Sequence, residues 1–292
     1  MARTAGMECD LKTISKNNHH FPDTTISIAI STTEKIAGGT FGHNDLSYCD
    51  DPEDASIDES FMPVELRGKK WKTKRVLGEG GNFKVYLVAS SDGLKYAMRW
   101  CRKQDCSTTK YGKNEGFQLK AASFMEKHLE NTLRLKELIG HHPNIVKLIG
   151  FRKVNLFTQQ IMEYIDGSDL HNFIEVNYFQ KKRQIGIRKA QSLFCDLLSA
   201  VKHSHSLNIA HMDIKVENCL ITRNGNLKLT DFDNAVRFQP GKKMNGSVYA
   251  TRLYAAPETF NKEYKPACAD IWACGIVLFI MLKQSIPWEV AK

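Results

Sequence analysis

His211-Met-Asp-Ile-Lys-Val-Glu-Asn218 is the stretch of sequence that decides the fold, together with Asp231-Phe-Asp233 a little further along the chain. The first stretch carries a carboxylate at Asp213, an ammonium at Lys215 and an amide at Asn218. A carboxylate can accept a proton from an attacking hydroxyl, an ammonium can neutralise charge on a moving phosphoryl group, and an amide carbonyl can ligate Mg²⁺. These residue types at this spacing predict magnesium-dependent phosphoryl transfer.

The residues between the two stretches predict a β-hairpin. Two short apolar runs, at residues 219–222 and 227–230, flank the turn sequence Arg223-Asn-Gly-Asn226. A hairpin would return the chain to the same end of a pocket, so Asp231 would lie beside the first stretch. There its carboxylate could bridge Mg²⁺ to phosphate oxygens.

Several motifs, in the same order, resemble those of the eukaryotic-type protein kinases. The two stretches are similar to the H-R-D-L-K-x-x-N catalytic loop and the D-F-G metal motif of that family. Residues 250–258 are similar to its G-T-x-x-Y-x-A-P-E segment, and residues 270–275 to its D-x-W-x-x-G helix. The resemblance covers residues 71–292 and is nearest the Ser/Thr type, in the calcium/calmodulin-dependent and checkpoint-kinase-like branch. It implies an α+β fold with a β-rich N-lobe at residues 71–160 and a helical C-lobe at residues 163–292.

The resemblance also implies an activity and its main residues. ATP would lie between the lobes, and its γ-phosphoryl group would pass to a Ser or Thr hydroxyl of a protein substrate. Asp213 would orient and deprotonate that hydroxyl, and Lys215 would stabilise the transferring phosphoryl group. Mg²⁺ is expected on Asn218 and Asp231.

The nucleotide-binding residues implied by the family begin at a Gly-rich turn. The pattern G-x-G-x-x-G-x-V is matched by Gly78, Gly80 and Val85 in a predicted strand–turn–strand at residues 71–88. Glycines there let backbone amides approach phosphate oxygens. The third glycine position is Phe83, which predicts a stiffer loop. The other implied contacts are Leu77, Ala97, Glu163, Ile165, Asp169, Glu217 and Leu220, and Asp169 is also placed to cap the helix that follows it.

The third strand, predicted at residues 94–100, carries the clearest departure from the family. Where the family has V-A-I-K, whose Lys holds the α- and β-phosphates, this chain has Arg99. Arginine keeps the charge and forks onto phosphate, but its length and planarity change the geometry. The alternative is a surface charge on the strand. The acidic partner of this cation is expected on a predicted helix at residues 114–139, at Glu130, with Glu126 one turn earlier on the same face. The alternative is that Glu130 is only a solvated charge on that helix.

Two classes of function stay open at this point. The intact catalytic and metal residues favour a Ser/Thr kinase. Phe83, Arg99 and Asp233, which replaces the glycine of D-F-G, favour a pseudokinase, a nucleotide-binding or scaffolding module with little or no turnover. A nucleic-acid binder is disfavoured, because the net charge of +9 is not accompanied by a nucleic-acid motif.

Composition limits the remaining organisation. The 292 residues are 42% hydrophobic and 25% charged, which is ordinary for a soluble globular protein. Residues 1–65 are rich in Ser, Thr, Asp and Asn and include an acidic run, so they predict a disordered acidic tail, with a small extra domain as the alternative. Eight scattered Cys without metal-ligand spacing predict reduced thiols and a cytoplasmic or nuclear location.

The C-terminal part of the sequence carries two further expectations. The longest apolar run, residues 271–282, is shorter than the roughly 20 residues of a bilayer span, so a buried core helix and no membrane partner are expected. The family continues with three more helices after the point at which this chain stops, Lys292. The lower lobe is therefore expected to expose an apolar patch. The two explanations are a truncated gene product and a regulatory protein partner that covers the patch.

Overall fold

Two lobes, one rich in β-strand and one helical, make up the part of the chain that the computed structural model describes. The described residues are 57–79, 83–102, 134–135, 137–154, 157–245, 251–261 and 263–288. The expected α+β, two-lobed fold is confirmed. Of the helix predicted at residues 114–139, residues 134–135 and 137–139 are described and helical. The rest of it, with Glu126 and Glu130, lies outside the described residues.

The N-lobe is a six-stranded antiparallel sheet with the strand order β1-β5-β6-β4-β3-β2. Strand β4 lies between β3 and β6, where Arg99 is opposite Val85 and Ala97 is opposite Met162. Successive side chains of a strand point to opposite faces, so Ala97 and Arg99 share one face. Arg99 contacts Asp231 of the other lobe, so this face looks toward the C-lobe. The strands are β1 Ile57–Asp58, β2 Trp71–Glu79, β3 Phe83–Ser90, β4 Lys95–Arg102, β5 Leu148–Val154 and β6 Phe157–Glu163.

A segment before the first predicted strand also belongs to the N-lobe. Residues 57–66, here called the N-terminal strap, add strand β1 to the free edge of β5 and then form a 3₁₀ turn at Val64–Leu66. Met62 and Leu66 of the strap are buried in one apolar cluster with Trp71 and other side chains of the sheet. The predicted boundary of a disordered tail at residue 65 is therefore wrong for residues 57–65. The average composition of residues 1–65 is polar, so it does not indicate that a few apolar side chains, such as Met62, pack on the sheet.

A buried charge ties the strap to the sheet. Arg152 of β5 is only 1% exposed. Its Nε donates to Gln159 Oε1 at 2.5 Å, and its Nη1 lies 3.4 Å from Glu59 Oε1 of the strap. The other oxygen of Glu59 accepts from the backbone N–H of Gly68 at 2.6 Å. The strap is thus held by both apolar burial and a charged contact, although residues 1–56 before it lie outside the described part of the chain.

The C-lobe is built on two helices that pack against each other. Helix α2 buries Leu193, Leu197 and Val201, whose spacing follows one face of a 3.6-residue period. The predicted hairpin is confirmed, with Gly225 at φ +82° in the turn where an L side chain would be strained. The elements are β7 Gly167–Asp169, α1 Leu170–Ile174, a π-helical turn Glu175–Phe179, α2 Ile187–Ser206, β8 Ile209–Ala210, β9 Cys219–Thr222, β10 Leu227–Leu229, β11 Val236–Arg237, β12 Met244–Asn245, β13 Glu263–Tyr264 and α3 Pro266–Lys283, with 3₁₀ turns at Val216–Asn218, Phe232–Asn234, Arg252–Tyr254 and Pro257–Phe260.

Helix α3 is apolar on nearly all sides. Among the described helices it alone is long and apolar enough, by length and composition, to cross a membrane, and half of it is buried inside the fold. The core helix of a soluble protein meets the same criterion. Val277 and Met281 are fully buried in the C-lobe core, as expected for the predicted core helix.

The strap makes a prediction about stability. Leu66→Ala should lower the free energy of unfolding by about 2–5 kcal/mol, because it leaves a cavity between the strap and the sheet. Val64→Ala is the matched control in the same turn, since Val64 is 75% exposed and Leu66 only 4%. Val64→Ala should stay within about 0.5 kcal/mol of wild type. Denaturant unfolding measures both values, and equal effects of the two substitutions would mean that the strap does not pack.

Candidate active site

The catalytic loop is positioned by a carboxylate on helix α3. Asp270, 1% exposed, accepts hydrogen bonds from the backbone N–H of His211 and of Met212, each at 2.8 Å. Its Oδ2 also lies 2.8 Å from His205 Nε2 of helix α2. Met212 has φ +64°, a conformation that a residue with a side chain rarely adopts, so the loop backbone needs this support. Two core helices therefore fix the backbone immediately before Asp213.

His211 connects the loop to the metal motif. Its Nε2 donates to the carbonyl of Thr230 at 2.9 Å, and its Nδ1 accepts from the N–H of Asp213 at 3.2 Å. The ring also packs against Phe232 with the centroids 4.5 Å apart. His211 thus holds the first predicted stretch against the second and is a packing residue, with both ring nitrogens already engaged.

The carboxylate of Asp213 is the centre of a hydrogen-bond cluster. Its Oδ2 accepts from Lys215 Nζ at 2.8 Å and from Asn218 Nδ2 at 3.3 Å. Its Oδ1 accepts from the hydroxyl of Thr251 at 3.0 Å, and Lys215 Nζ reaches the same hydroxyl at 3.2 Å. Asp213, Lys215 and Asn218 are therefore brought together as the sequence predicts.

Burial and charge act in opposite directions on Asp213. Burial raises the pKa of its carboxyl, but the positive charge and the hydrogen bond of Lys215, together with the hydrogen bond from Thr251, outweigh it. The pKa therefore lies below its ordinary value of 3.8. Asp213 is an anion at neutral pH, which is the form that can accept a proton.

Asn218 joins Asp213 to Asp231. Its side-chain Nδ2 donates to the backbone carbonyl of Asp213 at 2.8 Å, and its backbone carbonyl accepts from Thr230 N–H at 2.9 Å. Because Thr230 directly precedes Asp231, the two predicted stretches meet at Asn218. Asp231 itself has φ +65° and begins a 3₁₀ turn.

The oxygens of Asn218 and Asp231 suit Mg²⁺ by their chemistry. With Nδ2 of Asn218 turned to Asp213, its side-chain oxygen is turned away from that carboxylate and can serve as a hard ligand. Within the described residues no group of three or more His, Cys, Asp or Glu could hold a metal ion. Magnesium in phosphoryl-transfer sites needs only one or two protein ligands, with water and phosphate completing the set, so this pair fits it.

Arg99 occupies the position between the N-lobe and the metal motif. It is 8% exposed, so the alternative of a surface strand charge is wrong. Its Nη1 lies 3.1 Å from Asp231 Oδ1 and also pairs with Asp233 Oδ2. The guanidinium carbon lies 4.0 Å from the centroid of the Phe83 ring. The predicted partner Glu130 lies outside the described residues.

The residues predicted to hold the purine lie where β4 meets β6 and where the lobes join. Ala97 is buried opposite Met162, and half-buried Ile165 follows the end of β6. The N–H of Glu163 donates to Lys147 O at 3.0 Å, so a nucleotide would meet the carbonyl of this residue. The side chain of Glu163 also forms a 2.8 Å salt bridge with Lys228 of β10, which fixes the connection to the C-lobe.

The remaining predicted contacts surround the same region or are engaged elsewhere. Asp169 Oδ1 accepts from Asn172 N–H at 2.7 Å, so its capping of α1 is confirmed, and it pairs with Leu220 in the β7–β9 ladder. Glu217 Oε2 accepts from the hydroxyl of Tyr254 at 3.4 Å. Three further predicted residues belong to the Gly-rich turn: Gly78 is opposite Val85, Leu77 is half-buried beside it, and Gly80 lies outside the described residues.

Thr251 is missing from the residues that the sequence predicts as the site. The signal for it was present, since Thr251 is the Thr of the segment similar to G-T-x-x-Y-x-A-P-E. What the pattern does not reveal is that its hydroxyl and its N–H both point at Asp213, at 3.0 and 3.3 Å. Thr251 therefore helps to keep Asp213 ionised and oriented.

The pKa of Asp213 gives a pH prediction. Because it is lowered on folding, its carboxylate stabilises the fold fully above 3.8 and loses this contribution as pH falls through the folded value. In Lys215→Met, burial acts with less opposition, so the folded pKa should rise and the stability that is lost between pH 3.8 and the folded value should be smaller.

The measurement is the difference in free energy of unfolding between each protein and its Asp213→Asn counterpart across acid pH. Lys243→Met is the control, because Lys243 pairs with Glu263 and is 58% exposed. If Lys215→Met and Lys243→Met gave the same pH profile, Lys215 would not be what lowers the pKa of Asp213.

Comparison with known proteins agrees with this geometry. Residues 71–292 match the model of the protein kinase domain. Over 152 residues the chain is 36% identical to the probable serine/threonine-protein kinase MARK-C of Dictyostelium discoideum, covering 51% of this chain and 19% of that protein. It is 30% identical to the probable serine/threonine-protein kinase RTK1 of Saccharomyces cerevisiae, covering 80% and 36%, and 29% identical to serine/threonine-protein kinase chk1 of Schizosaccharomyces pombe, covering 79% and 44%. The chain spans less than half the length of these relatives.

Proposed function

This chain belongs to the protein kinase family, and we propose that it transfers the γ-phosphoryl group of ATP to Ser or Thr hydroxyls of a protein substrate. One observation carries the proposal. The Asp213 carboxylate is held by Lys215 and Thr251 and is linked through Asn218 to the metal motif, so a base, a cation and metal ligands lie in one connected cluster.

The chemistry follows from where each group is held. Asp213, kept ionised, would accept a hydrogen bond from the substrate hydroxyl and orient its oxygen. It would take the proton as that oxygen bonds to the γ-phosphorus and the bond from the γ-phosphorus to the leaving ADP breaks. Lys215 would place its ammonium beside the transferring phosphoryl group and offset its developing charge. Thr251 would keep both side chains in place, since it contacts each of them.

Asn218 and Asp231 would hold Mg²⁺. When bound, the ion supplies positive charge against the phosphate oxygens. The chain's own contribution is to present two oxygens on backbone that is already fixed by Thr230, His211 and Asp270.

The nucleotide would lie under the Gly-rich strands β2 and β3. We assign its apolar contacts to side chains on the cleft face of the sheet and on β9, and its polar contacts to the backbone between the lobes and to two acids of the C-lobe. Arg99 and the glycines would meet its phosphates. The residues so assigned are Leu77, Gly78, Gly80, Val85, Ala97, Arg99, Glu163, Ile165, Asp169, Glu217 and Leu220, and Glu130 is proposed as the acidic partner of Arg99.

A regulatory protein partner and a cytoplasmic or nuclear location belong to the same proposal. Along helix α3 the apolar side chains of Ile271, Phe279 and Leu282 are 52%, 36% and 37% exposed, which supports a further polypeptide on that face. Among the described cysteines, Cys195, Cys219, Cys268 and Cys274 are free thiols, which supports a reducing compartment.

Turnover of Mg-ATP on a generic basic protein tests the proposed activity. Asp213→Asn should lower kcat by about 10²–10⁴-fold, because it removes the proton acceptor while keeping the shape of the side chain. Asp92→Asn in the surface turn between β3 and β4 is the control and should keep wild-type turnover.

Two results would contradict the proposed kinase activity. In the first, wild type and Arg99→Lys both bind Mg-ATP but show no turnover. In the second, Asp213→Asn turns over as fast as wild type. The first of these results would make the protein a nucleotide-binding module.

A further inference from the structure

Three of the departures from the kinase pattern lie together in the structure. Phe83 stands at the third glycine position, Arg99 at the lysine position and Asp233 at the glycine of D-F-G. Arg99 touches both of the others, through the ring of Phe83 and the carboxylate of Asp233. Three substitutions that look like separate losses in the sequence are thus one contiguous cluster.

Strand register explains how Phe83 reaches Arg99. In the β3–β4 ladder Val85 is opposite Arg99 and Phe83 is opposite Cys101. Phe83 and Arg99 are therefore diagonal neighbours on one face, within reach of an aromatic ring and a long side chain. A guanidinium over an aromatic face is attracted to it and its plane is restrained. A glycine at residue 83 would leave the guanidinium without this support.

Arg99 and Mg²⁺ would compete for the carboxylate of Asp231, and Asp233 offers Arg99 a second carboxylate. Asp231 contacts Arg99 and is also the carboxylate assigned to Mg²⁺. An ion that takes the oxygens of Asp231 weakens the pairing of a buried arginine, and a buried charge that loses its partner is costly. Asp233 also pairs with Arg99 and can keep doing so, because the guanidinium offers five donors in a fixed fork.

We propose that Phe83 and Asp233 are positioning residues that hold Arg99 for the nucleotide phosphates when Mg²⁺ occupies Asp231. Phe83 fixes the plane of the guanidinium, and Asp233 retains one edge of it. Because Nε is buried, the donors of Nη2 then face the phosphates. The Arg99–Asp233 pair takes the place of the Lys and Gly found in the family pattern. This role of Arg99 toward nucleotide phosphates rests on the proposed function.

Binding of ADP by calorimetry, with Mg²⁺ and with EDTA, tests this without using turnover. Asp233→Asn should raise the Kd for ADP about tenfold in Mg²⁺ and by less than about threefold in EDTA, because without the ion Asp231 still holds Arg99. Asp233→Glu, which keeps a carboxylate, should recover most of the affinity. Phe83→Leu should weaken Mg-ADP binding by about 2–5-fold.

A double-mutant cycle shows whether Asp233 acts through Arg99. In an Arg99→Gln background, Asp233→Asn should change the Kd for Mg-ADP by less than about twofold. The free energy of unfolding of each variant, measured alongside, separates lost binding from lost folding, and Asp233→Glu and Phe83→Leu keep the test open if Asp233→Asn fails to fold.

Several results would overturn the proposal. These are unchanged affinity in Asp233→Asn, an equal loss with and without Mg²⁺, or the same loss in the Arg99→Gln background. A wild type that does not bind Mg-ADP would overturn both this inference and the nucleotide part of the proposed function. The predicted affinity changes without any turnover would leave this inference standing and remove the kinase activity alone.

Discussion

The arrangement of the site depends on one buried carboxylate, that of Asp270. It accepts both N–H groups at the start of the catalytic loop and holds a strained backbone at Met212, directly before Asp213. Helix α3, which carries Asp270, is itself fixed in the C-lobe core by apolar burial. Because a buried N–H or carboxylate without a hydrogen-bond partner costs free energy, any other position of the loop backbone would be less stable. Apolar packing of the lobe therefore sets the position of Asp213.

Two cations of the site each lie next to a carboxylate. Lys215 holds the ammonium against Asp213, and Arg99 holds the guanidinium against Asp231. In surroundings partly removed from water these pairs are stronger than they would be at the surface. Both cations face carboxylates in the described residues, and both lie where negative phosphate would enter. Such a preorganised arrangement is the main source of rate enhancement in phosphoryl transfer.

Much of this could be predicted from the sequence, for reasons that differ by residue. The hairpin at Arg223–Asn226 and helix α2 follow from local turn chemistry and apolar spacing, and Asp213, Lys215 and Asn218 are close in sequence. The sequence does not predict the N-terminal strap, because the surface on which its few apolar side chains pack exists only once the sheet has folded. The contact of Arg99 with Asp233 spans 134 positions, and no local pattern reports a contact across that separation. Phe83, Arg99 and Asp233 each depart visibly from the family pattern, but the pattern does not reveal that Arg99 touches the other two.

The arrangement of the site requires that Asp213, Asn218 and Asp231 serve one phosphoryl group. A crystal structure with Mg²⁺ and a non-hydrolysable ATP analogue tests it most directly. The geometry derived above predicts the metal on the side-chain oxygens of Asn218 and Asp231, with the terminal phosphate facing Asp213 and Lys215. A nucleotide bound with its phosphates directed away from Asp213, or a metal held by other residues, would contradict it.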